Sequence, residues 1–276
     1  MNTVAYYNGA LTDSKDVLIS PYDLGLVRGY AVFDVMRTFN NKPFLREDHY
    51  KRLRNSAKEM GLNVPVSSAE YAAIVDNLLR LNGFREARIR TVLTGGPSPD
   101  AYSPTGKETF FILLEKIVPL PEHIYSAGAK MITVEYYREC PRIKSTNYVA
   151  AMQHHREKVR RGAIEILYTH RGMVLEGSVS NLFMASKGRL VTPKDDILTG
   201  ITRNFLIRLS KKCRIPVAER PISLKELLKA DEIFMTSSTK GIIPIVSVDG
   251  TRIGRGKVGP VTSTLMDEFR KYAATY

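Results

Sequence analysis

Apolar and polar residues alternate along several short segments of the chain and recur at helical spacing in others. Alternation predicts strands over residues 32–39, 88–95 and 109–116. Spacing of three and four residues predicts helices over residues 47–60 and 67–82. This half of the chain is therefore predicted to be α+β, with an antiparallel sheet covered by two helices.

Two prolines interrupt the pattern in the segment KIVPLPEH, residues 116–123. Pro119 and Pro121 restrict their own backbone and that of the preceding residue, so an extended segment is expected here. We predict that it separates two domains. The predicted parts are an N-terminal domain of residues 1–117, an interdomain linker of residues 118–124 and a C-terminal domain of residues 125–276.

Strand-like segments crowd together after this linker. Residues 173–186, MVLEGSVSNLFMAS, are predicted as one strand that follows a tight turn at Arg171 and Gly172. Residues 147–162 have helical spacing and end at Gly162, a residue type suited to helix C-termini. The whole half is predicted to be a mixed sheet in the form of a distorted barrel, with further helices over residues 202–212, 223–229 and 261–276.

Composition narrows the class of protein. The chain has 276 residues, 43% of them hydrophobic, which is enough for one large core or two smaller ones. The longest apolar run, residues 110–114, is far too short to cross a bilayer. Cys140 and Cys213 lack the spacing of metal ligands, and they are weak evidence for a disulfide framework. We expect a soluble, cytoplasmic protein without a membrane segment or a metal centre.

The chain is strongly basic. Its net charge of +13 comes from 41 lysines and arginines against 28 aspartates and glutamates. The basic residues are dispersed along helical stretches such as HHREKVRRG, residues 154–162, and they form no tail or nucleic-acid-binding motif. We therefore expect no nucleic-acid partner, whereas small anions such as phosphates and carboxylates would gain from the positive field.

Two turns in the second half have residues suited to binding an anion. In LTGITR, residues 198–203, Gly200 precedes a predicted helix whose first N–H groups, on Ile201 and Thr202, can face a ligand. Taken alone, Thr202 could instead be an ordinary helix cap. In the second turn, small hydroxyl residues that include Ser238 and Thr239 separate two apolar runs. Two such turns predict a phosphorylated cofactor.

Pyridoxal phosphate is a cofactor of this kind, and it requires a lysine for a Schiff base and often a carboxylate beside its ring nitrogen. Lys144 lies in PRIKSTNYVA, between an apolar residue and a small polar turn. Glu176 lies in a strand pattern next to Gly177, where the missing side chain would admit a flat ring. Neither residue is decisive alone, because Lys144 could be an exposed lysine and Glu176 a solvent-facing strand residue.

The order of four motifs strengthens this hypothesis. IKSTNY, LEGSVSNLF, LTGITR and ADEIFMTSSTKGIIPI follow one another along the chain, preceded by RGYAVFDVMRTF and FLREDHYKRLRNSA. This order resembles the class IV, or fold-type IV, aminotransferases that use pyridoxal 5'-phosphate. That family contains branched-chain aminotransferases, D-amino-acid aminotransferases and aminodeoxychorismate lyases. The resemblance implies an α+β fold with a small N-terminal α/β domain, a larger distorted-barrel domain, and a homodimer with shared active sites.

The resemblance also implies a role for each matching residue. Lys144 would form the Schiff base with the cofactor and move the proton at the substrate Cα. Glu176 would pair with the ring nitrogen, and Tyr148 would bind the ring oxygen. The phosphate would be held by Arg52, Ile201, Thr202, Ser238 and Thr239.

The implied reaction is a ping-pong transamination. An amino group would pass from a D-amino acid or a branched-chain L-amino acid to a 2-oxo acid such as 2-oxoglutarate. An aminodeoxychorismate lyase remains an alternative, because it would use the same lysine chemistry. A noncatalytic protein that binds anions or nucleic acid is a further alternative.

Substrate preference is left open, because this chain departs from both standard pockets of the family. Gly241 and Ile243 replace the residues usual in branched-chain enzymes, and residues 95–97 are Gly-Gly-Pro where D-amino-acid enzymes commonly have arginine and histidine. Guanidinium groups bind carboxylates with two hydrogen bonds. We therefore predict a clamp of two arginines for the α-carboxylate, one of which could come from a neighbouring subunit, although either could instead form a salt bridge. The predicted substrate-binding residues are Arg28 and Arg90 of this clamp, with Phe33 and Val35 lining the pocket.

Overall fold

The computed structural model describes residues 3–276, and the chain divides into two compact units. The first unit contains residues 3–118, Ile143–Asn147 and Tyr276. The second unit contains Pro119–Arg142 and Tyr148–Thr275. The short segment 143–147 therefore belongs to the first unit although it follows part of the second in the sequence. The predicted domain boundaries, at residues 117 and 125, stay predictions.

The first unit is built on a six-stranded antiparallel sheet. Its strands are β1 (Val4–Tyr7), β2 (Ala10–Asp13), β3 (Ala31–Phe39), β4 (Lys42–Pro43), β5 (Ala87–Thr94) and β6 (Thr109–Lys116). They lie in the order β2-β1-β6-β5-β3-β4. A 3₁₀ turn covers Ser14–Asp16, and the helices are α1 (Leu24–Val27), α2 (Arg46–Glu59) and α3 (Ser68–Asn82).

One face of this sheet packs into an apolar core. Leu53 of α2 and Val75 and Leu78 of α3 form this core with Ile89 and Ile112 of the sheet. Helix α3 begins with a capping box, since the Ser67 hydroxyl accepts from the Glu70 N–H and the Glu70 carboxylate accepts from the Ser67 N–H. The antiparallel sheet with two longer helices agrees with the pattern of the sequence.

The other face of the sheet is half-buried and is organised in three rows. Residues directly opposite each other on antiparallel strands share a face, and successive rows lie about 7 Å apart along a strand. We call this surface the half-buried face. Its rows across β3, β5 and β6 are Phe33–Val92–Phe111, Val35–Arg90–Leu113 and Arg37–Arg88–Glu115.

The second unit contains a mixed ten-stranded sheet. Its strands are β7 (Ala129–Glu135), β8 (Glu165–His170), β9 (Met173–Gly177), β10 (Asn181–Ser186), β11 (Arg189–Thr192), β12 (Val217–Glu219), β13 (Ile222–Ser223), β14 (Glu232–Ser237), β15 (Gly241–Val248) and β16 (Thr251–Arg252). The order is β12-β11-β10-β14-β15-β7-β8-β9-β13, and β16 pairs with β15. Strand β7 is parallel to both β8 and β15. The helices are α4 (Glu122–Ser126), α5 (Val149–Gln153), α6 (His155–Arg160), α7 (Ile201–Lys212), α8 (Leu224–Leu227) and α9 (Pro260–Thr275).

Three local predictions differ from the structure. The segment 173–186 is two strands, because a tight turn at Ser178–Ser180 separates β9 from β10. Buried Glu165 stabilises this turn by accepting hydrogen bonds from the hydroxyls of Ser178 and Ser180. The predicted helix over 147–162 is divided at His154 into α5 and α6. The end of the predicted extended linker is helical, since α4 begins at Glu122.

None of the helices described within residues 3–276 is both long and apolar enough to cross a bilayer.

Candidate active site

Lys144 is held against strand β3 of the first unit. Its N–H donates to the Ser56 hydroxyl at 3.1 Å, and its carbonyl accepts from the Phe33 N–H at 3.0 Å. The Lys144 Nζ atom lies 4.6 Å from the centre of the Phe33 ring. The Lys144 ammonium group therefore stands over the first row of the half-buried face.

A buried ion cluster lies on the other side of β3. The Asp34 carboxylate accepts from Arg52 Nε at 2.7 Å, from Arg52 Nη2 at 2.9 Å and from His49 Nδ1 at 2.6 Å. Asp34 is 3% exposed and His49 is 1% exposed. Because His49 and Arg52 are three residues apart on α2, their side chains share one face of the helix. Arg52, predicted as a phosphate ligand, is thus held by two of its N–H groups in a fixed orientation.

The pKa values of Asp34 and His49 in this cluster are both lowered from their ordinary values. Burial opposes ionisation of Asp34. The charges of Arg52 and His49 and their hydrogen bonds to the carboxylate nevertheless hold the pKa of Asp34 well below its ordinary value. Burial lowers the pKa of His49, and the positive charges of Arg52 and Lys144 lower it further against the opposing effect of Asp34. Neutral His49 must donate from Nδ1, since the carboxylate only accepts. The cluster therefore combines a fixed carboxylate, a fixed guanidinium and a neutral imidazole close to Lys144.

The predicted substrate residues of the first unit fall into two places. Phe33, Val35 and Arg90 lie together on the half-buried face, in its first and second rows. The Arg90 guanidinium donates to the Glu115 carboxylate from Nε at 3.2 Å and from Nη2 at 3.3 Å. Arg28 lies apart from them at the end of α1, where its Nη1 donates to the Val27 carbonyl.

The Glu176 carboxylate of the second unit is held by three neighbours. Glu176 Oε2 accepts from the Asn181 side-chain amide at 3.2 Å and from the Leu198 N–H at 3.0 Å. The Arg138 Nε atom lies 3.5 Å from Glu176 Oε1. The buried Glu176 carboxylate thus accepts two hydrogen bonds and lies beside a guanidinium group. Glu176 is 5% exposed, so it is not the solvent-facing residue that its strand position also allowed.

Asn181 connects Glu176 to the predicted phosphate-binding helix. Its amide also donates to the Leu198 carbonyl at 2.9 Å, and a Cβ added to Gly200 would lie 1.9 Å from Asn181 Oδ1. A side chain at residue 200 would therefore displace the Asn181 amide from Glu176 and Leu198. Helix α7 begins at Ile201 without a side-chain cap among the described residues, so its first N–H groups are not used by such a cap.

The remaining predicted residues of the second unit lie at the ends of other elements. Ser238 and Thr239 form the turn between β14 and β15, and β14 pairs Thr236 with Asn181 of β10. Tyr148 immediately precedes α5. It lies near Tyr168, whose pKa is raised mainly by burial and in smaller part by neighbours that include Tyr148.

Two buried polar atoms mark possible ligand contacts. His49 Nε2 in the first unit and Thr236 Oγ1 in the second have no hydrogen-bond partner within the part of the chain that the structure describes. Buried polar atoms are nearly always paired, so each exception needs an explanation such as a bound group.

Several residues of the site were not singled out from the sequence. Asp34 had a detectable signal, because it is an acidic residue at a core-facing position of an alternating strand. Asn181 and Arg138 had none, since each depends on contacts between segments that are distant in sequence. Glu115 likewise becomes relevant only when β5 and β6 are paired.

The sequence of the chain is similar to those of known proteins. Residues 31–248 match the family described as Amino-transferase class IV. A Methanocaldococcus jannaschii protein, provisionally named branched-chain-amino-acid aminotransferase, is 34% identical over 275 residues, covering 96% of this chain and 94% of the relative. A D-alanine aminotransferase of Staphylococcus haemolyticus is 31% identical and covers 98% of each chain. An aminodeoxychorismate lyase of Bacillus subtilis is 32% identical and covers 96% of this chain and 93% of the relative.

Solved structures with a similar fold include branched-chain aminotransferases. The Escherichia coli branched-chain amino acid aminotransferase superposes with a TM-score of 0.93 at 27% identity, covering 100% of this chain and 96% of that chain. The branched-chain aminotransferase of the thermophilic archaeon Thermoproteus uzoniensis, solved with norvaline, has a TM-score of 0.91 at 28% identity, covering 100% and 96%. The predicted α+β, fold-type IV architecture is confirmed. The chain belongs to the class IV aminotransferases, a family of enzymes that depend on pyridoxal phosphate.

Proposed function

We propose that this enzyme transfers an amino group from an amino acid, either a D-amino acid or a branched-chain L-amino acid, to a 2-oxo acid such as 2-oxoglutarate. The observation that carries the proposal is the position of Lys144 over a face that changes from apolar to cationic within two rows. The first row offers aromatic and aliphatic contacts beside the reactive amine, and Arg90 in the second row offers a partner for a carboxylate.

The residues present fit pyridoxal 5'-phosphate. When bound, this cofactor supplies an aldehyde for covalent attachment and a ring that takes up the electron pair released at the substrate Cα. Glu176 would face the ring nitrogen, and Tyr148 would donate to the ring oxygen. The uncapped N–H groups of α7 and the hydroxyl turn provide the donors that a phosphate requires. The phosphate ligands proposed are Arg52, Ile201, Thr202, Ser238 and Thr239.

Lys144 would hold the cofactor and then move the proton at the substrate Cα as a general base and acid. Its backbone is fixed by Ser56 and Phe33, so the side chain extends from a rigid strand edge. This arrangement limits the volume that the Nζ atom can sample, which favours proton transfer at one carbon.

The structure of the 95–97 loop supports a carboxylate clamp elsewhere. Gly96 has a φ of +71°, and a Cβ added there would lie 1.7 Å from the Lys107 carbonyl oxygen. A side chain at this position would therefore require a different loop. We propose Arg28 and Arg90 as the substitute clamp, with Phe33 and Val35 against the substrate side chain.

We also propose a homodimer that shares its active sites. Leu18, Tyr22 and Leu26, on the segment that leads to Arg28, are 70%, 62% and 65% exposed. A concentration of large apolar side chains at the surface is typical of a contact with another chain. Contact with a second copy would cover these side chains and bring Arg28 to the active site of that copy.

The first test is the visible spectrum of the purified protein, followed during separate additions of L-leucine and D-alanine. The expected result is a yellow protein that is bleached by one of the two amino acids, because transfer of the amino group removes the absorbing form. A protein that stays colourless when supplied with pyridoxal phosphate would contradict the proposal and favour a binding protein. A third outcome is a yellow protein that neither amino acid bleaches. If that protein forms 4-aminobenzoate and pyruvate from aminodeoxychorismate, it is the lyase.

The arginine clamp makes a separate prediction. Arg28→Ala and Arg90→Ala should each raise KM for the amino acid by about tenfold or more, because a hydrogen bond to a charged group contributes about 1.5–3 kcal/mol. Both variants should retain bound cofactor. Steady-state kinetics would measure the effect, and Arg85→Ala, which removes an exposed arginine of the same unit, is the matched control. Unchanged kinetics in both clamp variants would exclude the clamp.

A further inference from the structure

Arg203 is a buried cation at the start of helix α7. It is the third residue of the helix and is 3% exposed. Arginine is almost never fully buried unless it is paired, and a positive charge in the first turn of a helix is disfavoured by the helix dipole. The stability of the helix alone therefore does not explain an arginine at this position.

The guanidinium group of Arg203 is held by four neighbours. Its Nη2 atom donates to the Pro193 carbonyl at 2.7 Å and to the Glu219 carboxylate at 2.9 Å. Its Nε atom donates to the Thr192 hydroxyl at 3.3 Å, and its Nη1 atom donates to the Asn204 side chain at 3.2 Å. Because Thr192 and Glu219 are the last residues of β11 and β12, these contacts tie the first turn of α7 to the ends of two strands.

The same contacts close the loop that leads from β11 into α7, residues 193–200. Arg203 reaches from the helix back to Pro193, the first residue of this loop. Near the other end of the loop, the Leu198 N–H donates to the Glu176 carboxylate. The Leu198 N–H is three residues before the first N–H of α7, so the two groups are at most about 11 Å apart. One short loop therefore connects the proposed partner of the ring nitrogen with the proposed donors to the phosphate.

The two ends of this loop are anchored separately. Leu198 is held by Glu176 and also by Asn181, which donates to its carbonyl. Loss of Arg203 would leave these contacts in place but would release the first turn of α7 from the two strands. Hydrogen bonds weaken steeply when the donor points away from the acceptor. A phosphate bound by backbone N–H groups would therefore be sensitive to the orientation of this turn.

We infer that Arg203 is a positioning residue that directs the first N–H groups of α7 at the phosphate of the cofactor. A guanidinium group suits this role, because its planar fork can donate to several acceptors at once. The inference rests on the proposed function, because it takes the start of α7 as part of the phosphate site.

Binding of two related ligands by the full-length protein, after removal of its cofactor, tests this inference. Pyridoxal 5'-phosphate and pyridoxal differ only in the phosphate. The Kd of pyridoxal divided by the Kd of pyridoxal 5'-phosphate, which we call the phosphate ratio, therefore measures the contribution of the phosphate. Isothermal titration calorimetry gives both constants, with displacement of bound pyridoxal for the tighter ligand. Arg203→Gln should lower the phosphate ratio by about tenfold or more, because hydrogen bonds to a charged group are lost.

Glu219→Lys would displace the Arg203 guanidinium without removing it, because the new ammonium group would repel it. The Glu219 side chain is 42% exposed, so the variant should fold. We expect the phosphate ratio to fall by about threefold or more. An added positive charge would by itself attract the phosphate and raise the ratio, so a fall reports the position of the guanidinium.

Glu226→Lys is the matched control. Glu226 pairs with Arg220 at 2.6 Å and its side chain is 38% exposed, so this variant makes the same change of charge in the same unit without touching Arg203. Damage elsewhere in the protein would weaken both ligands and leave the phosphate ratio unchanged.

The inference is wrong if Arg203→Gln or Glu219→Lys keeps or raises the wild-type phosphate ratio, or if Glu219→Lys and Glu226→Lys give the same ratio. If Arg203→Gln is insoluble, Glu219→Lys and its control decide the result. If the wild-type protein binds the two ligands equally well, the proposed phosphate site is absent, and the proposed function fails together with the inference.

Discussion

Lys144→Ala is expected to lower kcat for amino-group transfer by on the order of 10⁴-fold, because in the proposed mechanism one substitution removes both the covalent anchor and the group that moves the Cα proton. The backbone contacts of residue 144 to Ser56 and Phe33 do not use the amine, so the strand edge should keep its conformation. Stopped-flow spectra after addition of the amino acid, and steady-state rates, would measure the loss.

Chemical trapping separates this effect from general damage. Borohydride reduction followed by peptide mass spectrometry should place the cofactor on Lys144 in the wild type and on no lysine in the variant. Lys116→Ala removes an exposed lysine at the end of β6 and should retain both activity and labelling. A Lys144→Ala protein that turns over at nearly the wild-type rate would rule out the assigned role of the lysine.

Asp34→Asn is expected to reduce the free energy of unfolding by about 3–5 kcal/mol, because it leaves a largely buried guanidinium without its counter-ion. Asp34 is the partner of both Arg52 and His49, so one substitution disturbs three side chains. Urea unfolding at neutral pH would measure the change. Asp76→Asn breaks the exposed ion pair with Arg46, in which the Asp76 side chain is 60% exposed, and should cost less than about 1 kcal/mol.

The difference in unfolding free energy between the wild type and Asp34→Asn is expected to depend on pH. The pKa of Asp34 is lowered in the folded state, so its contribution to stability is present above the unfolded pKa of about 3.9 and is lost as the pH falls below it. The stability difference between the wild type and Asp34→Asn should therefore be present at neutral pH and shrink as the pH falls below about 3.9. A difference below about 1 kcal/mol at neutral pH, or one that does not shrink below about pH 3.9, would contradict the assigned ion pairing.

Local patterns were sufficient to predict the main elements of both units. Alternation placed β3, β5 and β6, and helical spacing placed α2 and α3, because in each the buried residues recur with the period of the element. The family was recognisable because its motifs are contiguous in sequence. Lys144 and Glu176 could be proposed on the same basis, since each lies within its own motif.

Interactions between distant segments could not be predicted in this way. The strand expected over residues 173–186 is broken because Glu165, on a different strand, accepts from two serines of the turn. Arg90 was predicted either to bind a substrate carboxylate or to form a salt bridge, and its partner Glu115 became evident only from the pairing of β5 with β6. In both places the difference comes from a carboxylate on another strand. Its partners can be identified only from the pairing of the strands in the structure.

The lysine segment also has a consequence for the order in which the protein is made. All six strands of the first unit, together with Asp34, His49 and Arg52, precede residue 118, whereas residues 143–147 join that unit from a later stretch of the chain. Domains generally begin to fold from the N-terminal side during synthesis. The sheet and its buried ions can thus begin to assemble before Lys144 emerges from the ribosome, so the proposed Schiff-base lysine joins strands that precede it in the chain.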